Sequence, residues 1–327
     1  MKFQLKSIPF IICCCVFFTA MTSCRKDERQ LIENNVELPV NLSGYGIFRG
    51  TLSDLDPAPG FHLYELATPL FSDYSEKQRL IRLPAGTSMT ADGDGLPQFP
   101  EGTMIVKTFF YYNDKRDVSQ GKKIMETRIL LKHDSKWNVG TYIWNPQQTE
   151  ATLYTAGMSK VVNWIDGNGS GKVISYHVPS NMECVSCHRS DNAIMPIGPK
   201  LRNLNMNVIR NSGSVNQLQY FSDSSLINHV DPASIEVLPG WQDPAYSVSE
   251  RARAYLDVNC AHCHNTKGFA LEANLALGYE VPFTDTHIEQ KGDDMIHLME
   301  NGRMPYIGTT VVDAEGLALI RSYIESL

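Results

Sequence analysis

The sequence predicts an α+β chain of several domains, with an N-terminal antiparallel β-sandwich or barrel-like domain followed by two small α-helical units. Three observations predict it. Runs rich in β-branched and aromatic residues fill 36–180, where helical periodicity is scarce. After Pro179 the pattern changes to helices and long loops, and a Cys-x-x-Cys-His motif occurs twice there, at 184–188 and 260–264. The length of 327 residues suffices for two or three cores, and 43% hydrophobic with 20% charged residues is the composition of an ordinary soluble protein.

Residues 1–23 have a basic start, an apolar run from Ile8 to Met21 and a small-residue exit, which is the pattern of a secretory signal peptide. The run falls short of the roughly 18–20 residues that span a bilayer. Met21-Thr22-Ser23-Cys24 resembles a bacterial lipobox. Lipidation at Cys24 would make 24–35 a tether and the lipid the chain's one membrane contact; ordinary cleavage with Cys24 as a bystander is the alternative. An exported periplasmic or outer-membrane lipoprotein is expected, and Lys26-Asp27-Glu28 resembles a surface-export signal of some Gram-negative lineages.

Within 36–180 the runs Arg79 to Pro84, Thr103 to Tyr112, Lys123 to His133 and Thr141 to Asn145 read as short strands separated by turn clusters. KVVNWI and KVISYH flank Asp166 to Gly171 as a hairpin. That loop also resembles half of a calcium site, with oxygens at Asp166, Asn168 and Ser170, but the twelfth position is His177 where a Glu is expected. Residues 181–245 form the first helical unit, ending in the Pro/Gly-containing linker Glu236 to Tyr246. Residues 246–327 form the second. Ser247 and Glu250 make a capping box ahead of Val248, Ala252, Tyr255 and Leu256 on one helical face, and Asp313 caps a last helix striped by Leu317, Ile320, Ile324 and Leu327.

Cysteine usage identifies the chemistry. Cys13, Cys14, Cys15 and Cys24 lie at the N-terminus; the other four, Cys184, Cys187, Cys260 and Cys263, all lie inside the two motifs. Two thiols at this spacing can add across the two vinyl groups of a haem, and the next residue, His188 or His264, can reach the iron. The motifs therefore predict two covalently attached c-type haems, and the two helical units read as cytochrome c-type units. Two local disulfides or one structural zinc are the competing readings. The gap between the pairs is long for zinc, and neither alternative explains a histidine after each second cysteine.

The sixth iron ligand decides whether a haem is closed for electron transfer or open to small molecules. For the second haem Met304, 40 residues after His264 in Gly302-Arg303-Met304-Pro305, is the expected distal ligand, with Met295 and Met299 as alternatives. His262 and His297 read as surface or haem-edge residues. For the first haem Met195, Met206, His177, His229 or no ligand all stay open. Met195 is seven residues past His188, and seven extended residues reach at most about 25 Å.

With both motifs placed, the sequence resembles a family of poorly characterised bacterial dihaem c-type cytochromes, often lipoproteins, with an N-terminal β domain. The resemblance runs through TPLFSDYSEKQRLIRLP at 68–84, FPEGTMIVKTF at 99–109, METRILL at 125–131, PSNMECVSCH at 179–188, IGPKLRNLN at 197–205, NQL at 216–218 and RARAYLDVNCAHCH at 251–264. It implies haem binding and electron transfer outside the cytoplasm. Such proteins are often encoded beside a parallel β-helix protein, which makes that a candidate partner.

Charge agrees with redox protein partners. Without residues 1–23, which carry Lys2 and Lys6, the chain has 27 basic and 36 acidic side chains, a formal charge near −9. Nucleic acid is not an expected partner, since phosphate binding needs a concentrated basic surface. Electron carriage between periplasmic or surface partners is the leading expectation. A peroxidase-like enzyme with one open haem is the runner-up, although no distal acid or base is recognisable. A cytochrome subunit serving one dedicated oxidoreductase is a third reading.

Overall fold

The computed structural model describes residues 35–211 and 213–327. The expected signal peptide, Cys24 and all but the last residue of the tether lie outside the described residues. The chain is mixed α and β, as expected. Its centre is one six-stranded antiparallel sheet whose strands follow chain order: β1 (His62–Leu63), β2 (Glu76–Arg82), β3 (Met104–Tyr112), β4 (Lys122–His133), β5 (Lys136–Trp144) and β6 (Ala151–Leu153). A separate hairpin pairs β7 (Met158–Ile165) with β8 (Gly171–Val178).

The sandwich or barrel expected for 36–180 is not formed, because the large sheet is open and one of its faces is covered by irregular chain. Alternation along the strands explains the two layers. One face carries Leu80, Met104, Val106, Phe110, Ile129, Tyr142 and Trp144, buried under Leu42, Ile47, Phe48, Leu55 and Phe61 from the chain ahead of and just before β1. That covering segment contains two 3-10 turns, Leu42–Tyr45 and Leu52–Asp54. Its turns and prolines keep it from extending into strands that could build a second sheet.

The other face is divided along each strand. At one end Ile81, Ile105, Leu130, Trp137 and Val139 form a core with Cys184, Val185, Ile194, Leu201, Leu204, Leu218 and Phe221. At the other end Phe109, Tyr111 and Met125 pack beneath Val162, Trp164, Tyr176 and Val178 of the hairpin. A bulge in β4 between the partners of Phe109 and Phe110 lets Met125 join that second cluster. Between the two clusters the same face is polar.

The helical part carries the expected caps at Ser247 and Asp313 and a further one at Ser180. Ser180 and Glu183 form a capping box on the helix Asn181–His188, and Ser247 with Glu250 does the same on Val248–Asn259. Asp313 accepts from the Gly316 amide at the start of Ala314–Ile324. The last helix crosses Val248–Asn259 at Gly316, where an added Cβ would stand 2.4 Å from the Tyr255 ring. Ala252, Tyr255, Leu256, Ile288, Met299, Leu319, Ile320 and Tyr323 make the core of this unit. The hairpin loop is satisfied internally: Asp166 Oδ1 accepts from the Asn168 and Ser170 amides, both at 2.9 Å, as a tight turn requires.

Candidate functional site

The first motif lies on a short, well-capped helix. Glu183 closes the capping box and also meets His177 Nε2 at 2.9 Å, so His177 is engaged away from the motif. Cys184 is buried against the sheet, its Sγ 3.9 Å from Thr141 Oγ1 on β5. His188 leaves the helix with Nδ1 2.7 Å from the Met195 carbonyl, which leaves Nε2 as its free ring nitrogen. The chain returns closely here, since the Met195 amide also donates to the His188 carbonyl at 2.8 Å. Met195 is thereby tied beside His188 through its backbone, with its side chain partly exposed. Burial first, then the nearby Lys107, pushes the His188 imidazole down to about 3, so it is neutral and its lone pair is available.

The second motif begins at the C-cap of Val248–Asn259. Amides of Cys260 and Ala261 both donate to the Leu256 carbonyl, and those of Cys263 and His264 to the Cys260 carbonyl, so the helix ends in a compact turn. His264 Nδ1 is buried without a hydrogen-bond partner. Burial, then His262, lowers this imidazole below the ordinary histidine range. A cavity of about 140 Å³ is lined by Cys260, Cys263 and His264 and also by Met299, Met304 and Phe269. Met304 is therefore brought to the cavity of His264; Met299 shares it from the helix Ile288–Glu300, while Met295 packs into the core beside it.

The two motifs, far apart in sequence, meet. Cys187 Sγ, a ring nitrogen of His262 and Cys263 Sγ all lie within 4.8 Å of one another. A hydrogen bond from Cys187 to Cys263 holds the Cys263 thiol below its ordinary range and, with burial, pushes Cys187 up. Burial alone pushes Cys260 up to about 12. Cys187 and His262 line three adjoining cavities, of about 360, 80 and 140 Å³. His188 lines the first two and His264 the third.

None of the three comparisons finds a relative. No protein-family model, curated protein or solved structure matches the chain. Among the described residues no helix is long and apolar enough to cross a membrane.

Of the distal candidates for the first motif, Met206, His177 and His229 line none of the three cavities, and His229 is exposed. His262 sits between the motifs, a position no spacing rule marks because it occupies a variable place inside Cys-x-x-Cys. The sheet contributes a further group that the sequence reading passed over. Lys77, Arg79, Lys107 and Arg128 point from the polar middle of the sheet into the cavity that Cys184, Cys187 and His188 also line. Burial, then Arg79 and Arg128, pushes Lys107 down to about 7.

Proposed function

We propose that the protein is an exported dihaem c-type cytochrome that carries electrons between periplasmic or surface redox partners. The observation that carries this reading is the meeting of the two motifs at Cys187, His262 and Cys263 with each motif histidine beside a cavity. The residues suit the group. His188 keeps Nε2 free while the Met195 carbonyl holds Nδ1, the arrangement that fixes a metal-binding imidazole, and His264 lines an apolar cavity that the Met304 thioether also lines.

Bound haem would supply the one-electron chemistry. This chain's residues would do the rest. Cys184, Cys187, Cys260 and Cys263 would fix position covalently; His188 and His264 would ligate iron; Met304 is the proposed distal ligand of the second haem, where its sulfur would favour the reduced state. Phe269, Met299 and Tyr255 line that cavity and would pack against the macrocycle. The short separation of Cys187 and Cys263 would bring the two porphyrin edges together, so an electron entering at one would pass to the other without a mobile carrier.

A second reading rests on the same cluster: Cys187, His262 and Cys263 could hold a single metal ion. It leaves Cys184, Cys260, His188 and His264 without a role. Expression with a haem-maturation system followed by intact mass measurement separates the two. The cytochrome reading expects two added haem masses and a red protein that resists acid-acetone extraction. A colourless protein with one equivalent of zinc would establish the metal reading instead. Carbon monoxide binding to the ferrous protein together with peroxide turnover would move the assignment to the peroxidase-like alternative.

A further inference from the structure

The middle of the inner sheet face carries a row of like charges, of which Lys77 and Arg128 lie over the Phe109 ring at 5.9 and 4.4 Å from its centroid. Arg79 on β2, Lys107 on β3 and Arg128 on β4 stand directly opposite one another in register, and Thr141 on β5 completes the row. Like charges in directly opposed positions weaken a sheet. Lys77 lies on the same face, two residues along β2. Among the described residues only one of the four cations has a carboxylate within contact distance: Arg128 is held by both oxygens of Glu126, at 2.5 and 2.9 Å. Lys77 and Lys107 donate to the backbone carbonyls of Leu70 and Ile197, at 2.6 and 3.1 Å. Among the described residues the Arg79 guanidinium makes no hydrogen bond and no ion pair within contact distance. Tyr64, Glu65 and Glu76 act on Arg79 from beyond contact distance, so apart from Glu126 no carboxylate among the described residues meets the row.

The row also has a direction. At its β5 end Thr141 touches Cys184, the first cysteine of the first motif. Strands stand about 4.8 Å apart, so Arg79 lies three spacings, or about 14 Å, from that anchor. A porphyrin carries its vinyl groups on one edge and its two propionates on the opposite edge. We propose that the row is the carboxylate seat of the first haem: attached at Cys184 beside Thr141, the macrocycle extends along the sheet and its propionates pair with Lys107 and Arg79. This rests on the cytochrome reading. A dissolved oxyanion is the other source of the same chemistry, but a small ion would occupy one point and would leave the alignment with Cys184 unexplained. Two carboxylates offset most of the positive charge that Glu126 leaves, and the cations in turn make burying the carboxylates tolerable.

The test uses matured, full-chain protein carrying Arg79→Gln or Lys107→Met, with Lys172→Gln on the exposed hairpin as the charge control. Intact mass reports haem content, resonance Raman reports the propionate-bending bands, and redox titration reports both potentials. The proposal expects two haem masses in the wild type, a shifted propionate band and a lowered potential for one haem in each row variant, and neither change in the control. Arg79→Lys and Lys107→Arg should retain the wild-type bands. If neutralisation costs one haem, the charge-conserving pair must keep it; loss there too would assign the row to packing and overturn the proposal. Two haem masses with unchanged bands in both row variants would overturn it while leaving the cytochrome reading intact. So would a saturable spectral response of the wild type to phosphate or nitrate that the variants lack. Absence of haem mass in the wild type would remove the cytochrome reading itself, and this inference with it.

Discussion

Glu183 shows how one side chain supports the candidate site. It accepts from the Ser180 amide and hydroxyl and meets His177, and although burial alone would raise its carboxyl, these partners together hold it below the ordinary glutamate range. Its stabilising contribution is therefore present at neutral pH, above the unfolded value, and is lost as the pH falls through its lowered native value. Glu183→Gln should cost about 1 kcal/mol at neutral pH, and the difference from wild type should vanish on acidification, as followed by urea denaturation across the carboxylate range. On the cytochrome reading, Met304→Ala should abolish the near-infrared charge-transfer band of a methionine-ligated ferric haem and lower one potential, whereas Met299→Ala should spare the band. The motif cysteines, both motif histidines and Met304 were legible as candidates because their chemistry depends on near neighbours or a simple reach along the chain. His262 was not, since its importance comes from Cys187, which belongs to the other motif.

Elements are joined here by polar contacts between backbone segments that share no sequence pattern. The buried Asp73, in the loop entering β2, has a left-handed φ of 52° and accepts from the Thr310 amide and hydroxyl and from the Val311 amide. It ties the β part to the segment that follows Met304. Asp73→Ala should cost about 1–3 kcal/mol by leaving those donors unpaired, and should weaken the Met304 spectral band without removing either haem mass. The crossing of the last helix over Val248–Asn259 is equally specific. Gly316→Ala forces a methyl into the Tyr255 ring and should destabilise by about 1–3 kcal/mol, measured by denaturation. Caps at Ser247 and Asp313 could be read from residue spacing because a cap is a local hydrogen bond, and the box at Ser180, which the structure adds, has the same Ser-x-x-Glu spacing. The sandwich expectation failed because alternation reports that both faces of a strand are buried or one is, and says nothing about whether a sheet or irregular chain does the covering.

Over the whole molecule, charged pairs join the segment after the first motif to the second unit. Lys200 Nζ meets Asp257 Oδ1 at 2.6 Å and Arg202 meets Glu280 at 2.8 Å. The Asp257 side chain is only 1% exposed, so Lys200→Met leaves a buried carboxylate without its cation and should destabilise by about 3 kcal/mol. On the cytochrome reading the variant should also slow electron exchange between the two proposed haems, measurable by flash reduction. The sequence by itself determined the two Cys-x-x-Cys-His motifs, the caps at Ser247 and Asp313 and the longer strands, all properties of residues a few positions apart. Only the tertiary structure decided that the two motifs share one place, that His262 stands between them, and that Arg79, Lys107 and Arg128 line up. Those depend on strand register and on how separate segments pack, which are set by the sum of many distant contacts and leave no short-range trace.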